Sequence, residues 1–130
     1  MELAEVLRRR RMVRAFEPRP VPEGTVERLV AAMCRAPAAG NTAGLAVVAL
    51  EGPEETTRYW DVTLPAGARA GFPWPRLLDA PVLLVVCCRP GAWVERYAEP
   101  DKARTGLGAG TEEWPVPYWF VDTAFAAMLA

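Results

Sequence analysis

The sequence contains no histidine among its 130 residues. This absence excludes Ser-His-Asp and Cys-His nucleophile systems, imidazole general bases and metal sites that use histidine. Cysteine is also scarce, since the only three are Cys34, Cys87 and Cys88, and no pair has the CxxC spacing. An odd count without that spacing argues against a disulfide framework and against a zinc site. We therefore expect reduced thiols, mostly packed in the core, in a cytoplasmic protein with no metal.

The chain also has little net charge and no long apolar segment. Its formal net charge is −1, so no overall field attracts nucleic acid. The longest apolar stretch, residues 80–88, is too short to span a membrane, and the first residues lack the pattern of a signal peptide. Since hydrophobic residues make up 52% of the sequence, we expect a single ordered domain over residues 1–130, with neither a nucleic-acid nor a membrane partner.

Positive charge is nevertheless concentrated in one segment, where six arginines and one glutamate lie between Arg8 and Arg19. Within it stands the arginine motif, Arg10-Arg11-Met12-Val13-Arg14-Ala15-Phe16. A guanidinium group is always charged and offers forked donors, which suits a bound phosphate. The alternative is a solvated basic helix end, where cations favour the helix dipole. Charge alone leaves both interpretations open.

A second feature is the small-residue loop, Ala36-Pro37-Ala38-Ala39-Gly40-Asn41. Its side chains have so little bulk that the backbone can lie close to a flat ligand. The amide of Asn41 can donate and accept hydrogen bonds to such a ligand, although a Gly-Asn pair is also typical of a turn. The arginine motif and the small-residue loop together suggest a pocket for a planar cofactor that carries a phosphate.

Apolar periodicity and breaker residues predict the secondary structure. The predicted elements are a helix over 2–10, a helix over about 23–35, a strand over 45–50, a helix opening at 52, a strand over 81–88, a short helix over 93–98 and a helix from 117. Both strands are continuous apolar runs, so we expect both of their faces to be covered. Residues 64–79 are predicted to form a loop with a short helical piece, and residues 99–116 a long loop. The last helix ends on an uncapped apolar stripe, which predicts a truncated domain and association through that stripe.

Five features follow one another in an order that is known from one protein family. They are the arginine motif, Val21-Pro22 before the second helix, the small-residue loop with the following Thr42-Ala43-Gly44-Leu45, Ala80-Pro81 before an apolar strand, and Asp122 opening a small-residue helix. In these the chain resembles the nitroreductase family of flavin-binding oxidoreductases, in a branch typical of actinobacteria. The resemblance implies an α+β fold with a central, mainly antiparallel sheet flanked by helices, in an incomplete domain that lacks the family's C-terminal part.

The resemblance also implies an activity. It implies an FMN-dependent enzyme that moves hydride from NAD(P)H to a nitroaromatic, quinone or similar small-molecule acceptor, and a homodimer with the flavin at the subunit interface. The flavin carries the chemistry in such enzymes, so no catalytic side chain is expected. Two other interpretations remain: a flavin-binding or structural protein without turnover, and an arginine-based module for nucleic acid or an acidic partner. The net charge of −1 disfavours the last of these.

Site residues transfer to this sequence position by position. The cofactor-binding residues that the resemblance implies are Arg10, Arg11, Met12, Arg14, Pro37, Ala38, Ala39 and Asn41. Met12 and Ala38 stand where the family usually has serine, so two hydroxyl contacts are lost. The segment Ala43-Gly44-Leu45 replaces Gln-Pro-Trp, which predicts a less filled space behind the loop.

Overall fold

The structure is a computed structural model, and it describes residues 2–130. Residue 1, which the predicted domain includes, lies outside the described residues. In chain order the elements are α1 (Leu3–Arg9), α2 (Thr25–Met33), β1 (Leu45–Glu51), α3 (Gly52–Thr63), α4 (Ala66–Arg69), β2 (Val82–Cys88), α5 (Gly91–Tyr97) and α6 (Tyr118–Leu129). These bounds confirm the predicted helices and strands closely, because each rests on a local apolar pattern.

The two strands form an antiparallel sheet. The Gly52 N–H donates to the Pro81 carbonyl at 3.0 Å, and the Arg89 N–H donates to the Gly44 carbonyl at 2.9 Å, so the strands run in opposite directions. The expectation that both faces are covered is wrong for part of the sheet, since Val48 is 49% exposed. A two-stranded sheet is too narrow to bury every side chain along it, and an apolar run does not reveal the width of its sheet.

The described residues divide into two compact units, and the first comprises residues 2–20 and 50–83. Its helix α3 begins with Pro53 in the first turn, where a proline needs no N–H donor. The predicted loop over 64–79 contains the short helix α4 and a 3-10 turn. The Arg69 side chain holds this segment, because it donates to the Leu64 carbonyl and to Asp61, both within 2.8 Å.

The second unit comprises residues 21–49 and 84–130, and in it α2 packs against α6. The predicted loop over 99–116 contains three short 3-10 turns. An aromatic cluster fixes them: the Trp114 ring lies 4.7 Å from that of Tyr97 and 5.9 Å from that of Trp119, between centroids. The Trp114 indole also donates to the Leu107 carbonyl at 2.9 Å. This segment is therefore packed against α5 and α6 in a shared core.

Helix α6 buries one narrow face and exposes another. Its buried residues are Trp119, Asp122 and Ala126, which share a face at helical spacing. The apolar stripe predicted from the sequence is the exposed face of the described chain, with Phe120, Phe125, Met128 and Leu129 between 47% and 72% exposed. Between residues 2 and 130, no helix combines the length and apolarity needed to cross a membrane.

The cysteines are free thiols, as predicted, but two of the three are not core residues. Cys34 and Cys87 are exposed, and Cys88 is half-buried. Cys34 directly follows the last residue of α2, and neighbouring residues of a strand point to opposite faces, so Cys87 and Cys88 cannot both face the core. The expectation that they are mostly core residues is therefore wrong for Cys34 and Cys87, whereas Cys88 packs against the buried cluster that contains Trp93.

Candidate functional site

The arginine motif begins where α1 ends. The Arg10 N–H still donates to the Val6 carbonyl at 2.9 Å, but the Arg10 backbone has already turned to φ −55° and ψ 131°. Residues 11–16 continue in non-helical conformation. At the far end of the motif, the Phe16 N–H donates to the Arg76 carbonyl at 3.0 Å, and the Arg76 side chain returns a bond to the Phe16 carbonyl at 2.9 Å. The motif is thus a non-helical segment fixed at both ends within the first unit.

The three arginines of the motif have different surroundings. Arg11 folds back onto the helix end, where its Nη1 donates to the carbonyls of Arg8 and Arg10 at 2.8 and 2.9 Å. This arrangement satisfies carbonyls that a helix end leaves without partners. The guanidinium of Arg14 lies over the Trp74 ring, 4.7 Å from its centroid, in a cation–π contact.

The charge of these arginines is not neutralised within the described chain. The nearby carboxylates are engaged elsewhere, since Glu5 pairs with Arg9 at 3.4 Å and Glu17 pairs with Arg19 at 2.8 Å. Among residues 2–130, no carboxylate lies within 4.0 Å of the guanidinium nitrogens of the motif's own arginines, all of which are exposed. Met12 between them is 68% exposed. The segment therefore presents uncompensated positive charge to solvent.

The small-residue loop lies in the second unit and has a tightly turned backbone. Gly40 and Asn41 are both left-handed, with φ of 67° and 55°. Asparagine tolerates this conformation better than most residues, so the Gly40-Asn41 pair forms a turn here. A Cβ on Gly40 would lie 2.6 Å from the Tyr97 ring, which leaves room only for glycine.

Side chains from two helices clamp this loop at neighbouring residues. The Ala39 N–H donates to Oδ2 of Asp122 at 2.8 Å, and Nε of Arg96 donates to the Gly40 carbonyl at 2.9 Å. In addition, the buried Thr42 hydroxyl donates to the Ala39 carbonyl at 2.7 Å. Because these backbone groups are bonded within the unit, the loop is held in one shape rather than left to be ordered by a ligand.

Asp122 also fixes the large ring behind the loop. Its Oδ2 accepts a second hydrogen bond from the Trp93 indole at 2.9 Å, and the two side chains belong to residues only 6% and 1% exposed. The Trp93 ring lies directly against Gly44, so close that a Cβ there would overlap it. A tryptophan from α5 therefore occupies the space beside Gly44.

Arg96 is itself held by carboxylates. Its two terminal nitrogens donate to both oxygens of Asp101 at 2.8 and 2.9 Å, and Nη1 also reaches Glu99 at 3.0 Å. These hydrogen bonds hold the pKa of Asp101 below its ordinary value and raise the pKa of Arg96 above its own. The guanidinium that binds the Gly40 carbonyl is therefore oriented by a forked ion pair.

A cavity of about 330 Å³ lies within the second unit. Pro37 and Ala38 of the small-residue loop form part of its wall, together with α2, β1 and the buried side chains of Trp93 and Asp122. Its lining is mainly apolar, with the carboxylate as its charged group. No group of three or more histidine, cysteine, aspartate or glutamate side chains within residues 2–130 could hold a metal ion.

The structure separates the predicted site residues into two sets. Arg10, Arg11, Met12 and Arg14 belong to the first unit, whereas Pro37, Ala38, Ala39 and Asn41 belong to the second. The residues that shape the second set, Asp122, Trp93 and Arg96, were not predicted to do so. One signal was present in the sequence, because Asp122 is the single charged residue of the otherwise apolar α6.

Residues 7–116 match the sequence model of the nitroreductase family. The chain belongs to the nitroreductase family. A search of curated proteins gives no match to this nitroreductase-family sequence. Its predicted fold class is confirmed, since the antiparallel sheet and surrounding helices are those of the nitroreductase-like fold.

Solved structures are similar to this nitroreductase-family chain at low sequence identity. A nitroreductase-like protein from Streptococcus mutans matches with a TM-score of 0.71 and 16% identity over 96% of this chain and 66% of its own. A protein from Exiguobacterium sibiricum, solved in complex with FMN, matches with a TM-score of 0.64 and 13% identity over 99% of this chain and 67% of its own. A BluB-like flavoprotein from Clostridium difficile matches with a TM-score of 0.60 and 16% identity over 98% of this chain and 67% of its own. The chain spans about two thirds of the length of these structures.

Proposed function

We propose that this protein binds FMN and transfers hydride from NAD(P)H to a nitroaromatic, quinone or similar small acceptor, as a cytoplasmic homodimer. The observation that carries the proposal is the uncompensated charge of the arginine motif, whose neighbouring carboxylates pair with other arginines. Membership of the nitroreductase family and the FMN in the Exiguobacterium sibiricum structure support the same assignment.

The chemistry of the arginine motif fits a phosphate group. A phosphate dianion favours several charge-assisted donors whose positions are fixed in advance. The stacking of Arg14 on Trp74 restrains its guanidinium plane while the nitrogens at its edge remain available. Arg10 belongs to the same motif and is exposed. Arg11 already uses its Nη1 in hydrogen bonds to the carbonyls at the end of α1. We therefore assign the phosphate chiefly to Arg10 and Arg14, with Arg11 and Met12 next to it.

The small-residue loop fits a flat ring system. Pro37, Ala38 and Ala39 carry little bulk, and the clamp by Asp122 and Arg96 fixes their backbone before any ligand arrives. A surface that is rigid in advance loses little conformational entropy on binding. The resemblance places this loop against the flavin of the partner subunit, with Asn41 at its polar edge. In such a dimer, the arginine motif of a subunit binds the phosphate of one flavin, and the small-residue loop of the same subunit lies against the other flavin.

FMN, when bound, supplies the hydride-accepting and hydride-donating chemistry of the reaction. The residues of the chain bind the phosphate, orient the ring and limit the access of water to it. No side chain is proposed to act as acid, base or nucleophile. The exposed apolar residues of α6, among them Phe120 and Met128, support the homodimer, because patches of this kind favour association.

The test compares arginines of the same charge and exposure. Arg14→Ala removes a proposed phosphate ligand, whereas Arg8→Ala removes an exposed arginine of α1 that has no such role. Loss of one charge-assisted contact predicts FMN affinity about 10- to 100-fold weaker for Arg14→Ala, measured by quenching of flavin fluorescence. We expect Arg8→Ala to stay within about twofold of the wild type, because exposed charges far from the ligand contribute little.

A failure of the wild-type chain to take up FMN would contradict the proposal, as would equal losses in the two variants. Turnover is tested separately, by adding NADH or NADPH to the flavin-loaded protein without oxygen. Bleaching of the yellow colour is expected. Retained colour with tight FMN binding would favour the alternative function, a flavin-binding protein without turnover.

A further inference from the structure

We propose that Asp122 is a positioning residue for the small-residue loop, and that it sets FMN affinity without touching the flavin. The inference rests on the proposed function, because it assumes that this loop faces the cofactor. It concerns a side chain in α6, whose bonds to the loop and to Trp93 have the geometry described above.

The first argument is convergence on a single atom. Oδ2 of Asp122 accepts from the Ala39 N–H at 2.8 Å and from the Trp93 indole at 2.9 Å. One oxygen therefore fixes the distance between the loop backbone and the ring that supports it. Removing the oxygen releases both donors at once, and each would be left buried without a partner.

The second argument is the burial of the carboxylate. Asp122 is 6% exposed, and every other residue of α6 is uncharged. Burial of a carboxylate is unfavourable unless hydrogen bonds compensate for the lost water. In the described chain the compensating hydrogen bonds come from the Ala39 N–H of the loop and from the Trp93 indole. The buried carboxylate is therefore stabilised by the small-residue loop and not by groups within α6.

The third argument is the second anchor on the next residue. Arg96 holds the Gly40 carbonyl at 2.9 Å, and Asp122 holds the Ala39 N–H. Two anchors on adjacent residues determine both the position and the tilt of the backbone between them. Loss of Asp122 leaves Arg96 as the side-chain anchor from the helices, and the loop can then rotate about the Gly40 carbonyl.

The experiment separates the position of the acceptor from its charge. Asp122→Asn keeps an acceptor oxygen at the same place without charge, Asp122→Glu keeps the charge but moves it by one methylene, and Asp122→Ala removes both. Thr56→Val is the matched control, because it deletes the 3.0 Å hydrogen bond of a buried hydroxyl to the Gly52 carbonyl in the first unit, to which the loop does not belong. Each full-length variant is measured by FMN titration and, without flavin, by amide hydrogen exchange of residues 36–42.

Positioning predicts a specific order of affinities. We expect FMN binding about tenfold or more weaker for Asp122→Ala and Asp122→Glu, and within about threefold of the wild type for Asp122→Asn. Exchange over residues 36–42 should rise in the first two variants and stay near the wild type in the third. Thr56→Val should lower thermal stability slightly while leaving affinity and loop exchange unchanged. The comparison of asparagine with glutamate decides the question even if the alanine variant does not fold.

Other outcomes overturn the inference in distinguishable ways. Tight FMN binding by Asp122→Glu together with weak binding by Asp122→Asn would assign the effect to charge. Unchanged loop exchange in both Asp122→Ala and Asp122→Glu would refute the anchor itself. If the wild type binds no FMN, the proposed function fails and with it the role in affinity, whereas the exchange measurement still decides whether Asp122 holds the loop.

Discussion

Gly44→Ala is a severe small substitution in the second unit. The Trp93 ring lies against Gly44, and an added Cβ would come within 2.7 and 2.8 Å of its Cη2 and Cε3 and still closer to Cζ3. Trp93 is 1% exposed and its indole is bonded to Asp122, so the ring cannot move away from Gly44 without losing that hydrogen bond. We expect both a shift of β1 at its start and the loss of the indole hydrogen bond.

The magnitude follows from these two consequences. Overpacking of a dense core costs about 1–3 kcal/mol. Release of an indole bonded to a carboxylate adds about 1.5–3 kcal/mol. The sum, about 2.5–6 kcal/mol, is a large part of the 5–15 kcal/mol that is typical of a domain. For a chain of this length it corresponds to a fall in melting temperature of roughly 10–20 °C.

Circular dichroism during heating and urea titration measure this loss, and Gly67→Ala is the control. Gly67 lies in α4, where an added Cβ meets nothing within 4 Å, so alanine there should be neutral or slightly stabilising. The near-ultraviolet spectrum of Gly44→Ala should also change, because a buried indole loses its fixed surroundings. If Gly44→Ala melts within about 2 °C of the wild type, the contact with Trp93 is not as described.

Two further predictions concern exposed groups. Because Arg96 holds the pKa of Asp101 below its ordinary value of 3.8, the pair should contribute stability fully above that pH and lose it as the pH falls through the lowered value. Urea titrations at several pH values should show a shallower loss below pH 4 for Asp101→Asn, and parallel curves would contradict the pair. Cys34 and Cys87 should react quickly with a thiol reagent and Cys88 slowly, because only the first two are exposed. The variants Cys34→Ser and Cys87→Ser should each remove one fast-reacting thiol. Equal reaction rates for all three thiols would contradict the partial burial of Cys88.

Local patterns predicted the elements of the fold well. The strands at Leu45–Glu51 and Val82–Cys88 follow from unbroken apolar runs, and α3 follows from Pro53 with acidic residues in the first turn. Local patterns were less informative where the residues that pack together are far apart in the sequence. Residues 99–116 contain glycines and prolines typical of a loop, yet the rings around Trp114 give them a packed core that no local pattern reveals.

The sequence revealed the composition of both sets of site residues, but not the contacts that their groups make. The arginine motif was visible as a concentration of charge, although the sequence could not show that Arg11 turns back to the helix end while Arg14 stacks on Trp74. The small-residue loop was visible by composition. Its clamp was not, because a single charged residue in α6 does not show that Asp122 binds the Ala39 amide.

The clamp has a consequence for the order in which the molecule acquires its shape during synthesis. The bonds to Ala39 and Gly40 join residues 83 and 56 positions apart. A ribosome must therefore release nearly the whole described chain before the Ala39 amide meets its acceptor, and closing so long a segment is slow compared with forming a single helix. A nascent chain that stops short of residue 122 emerges with its helices able to form and this turn still unfixed.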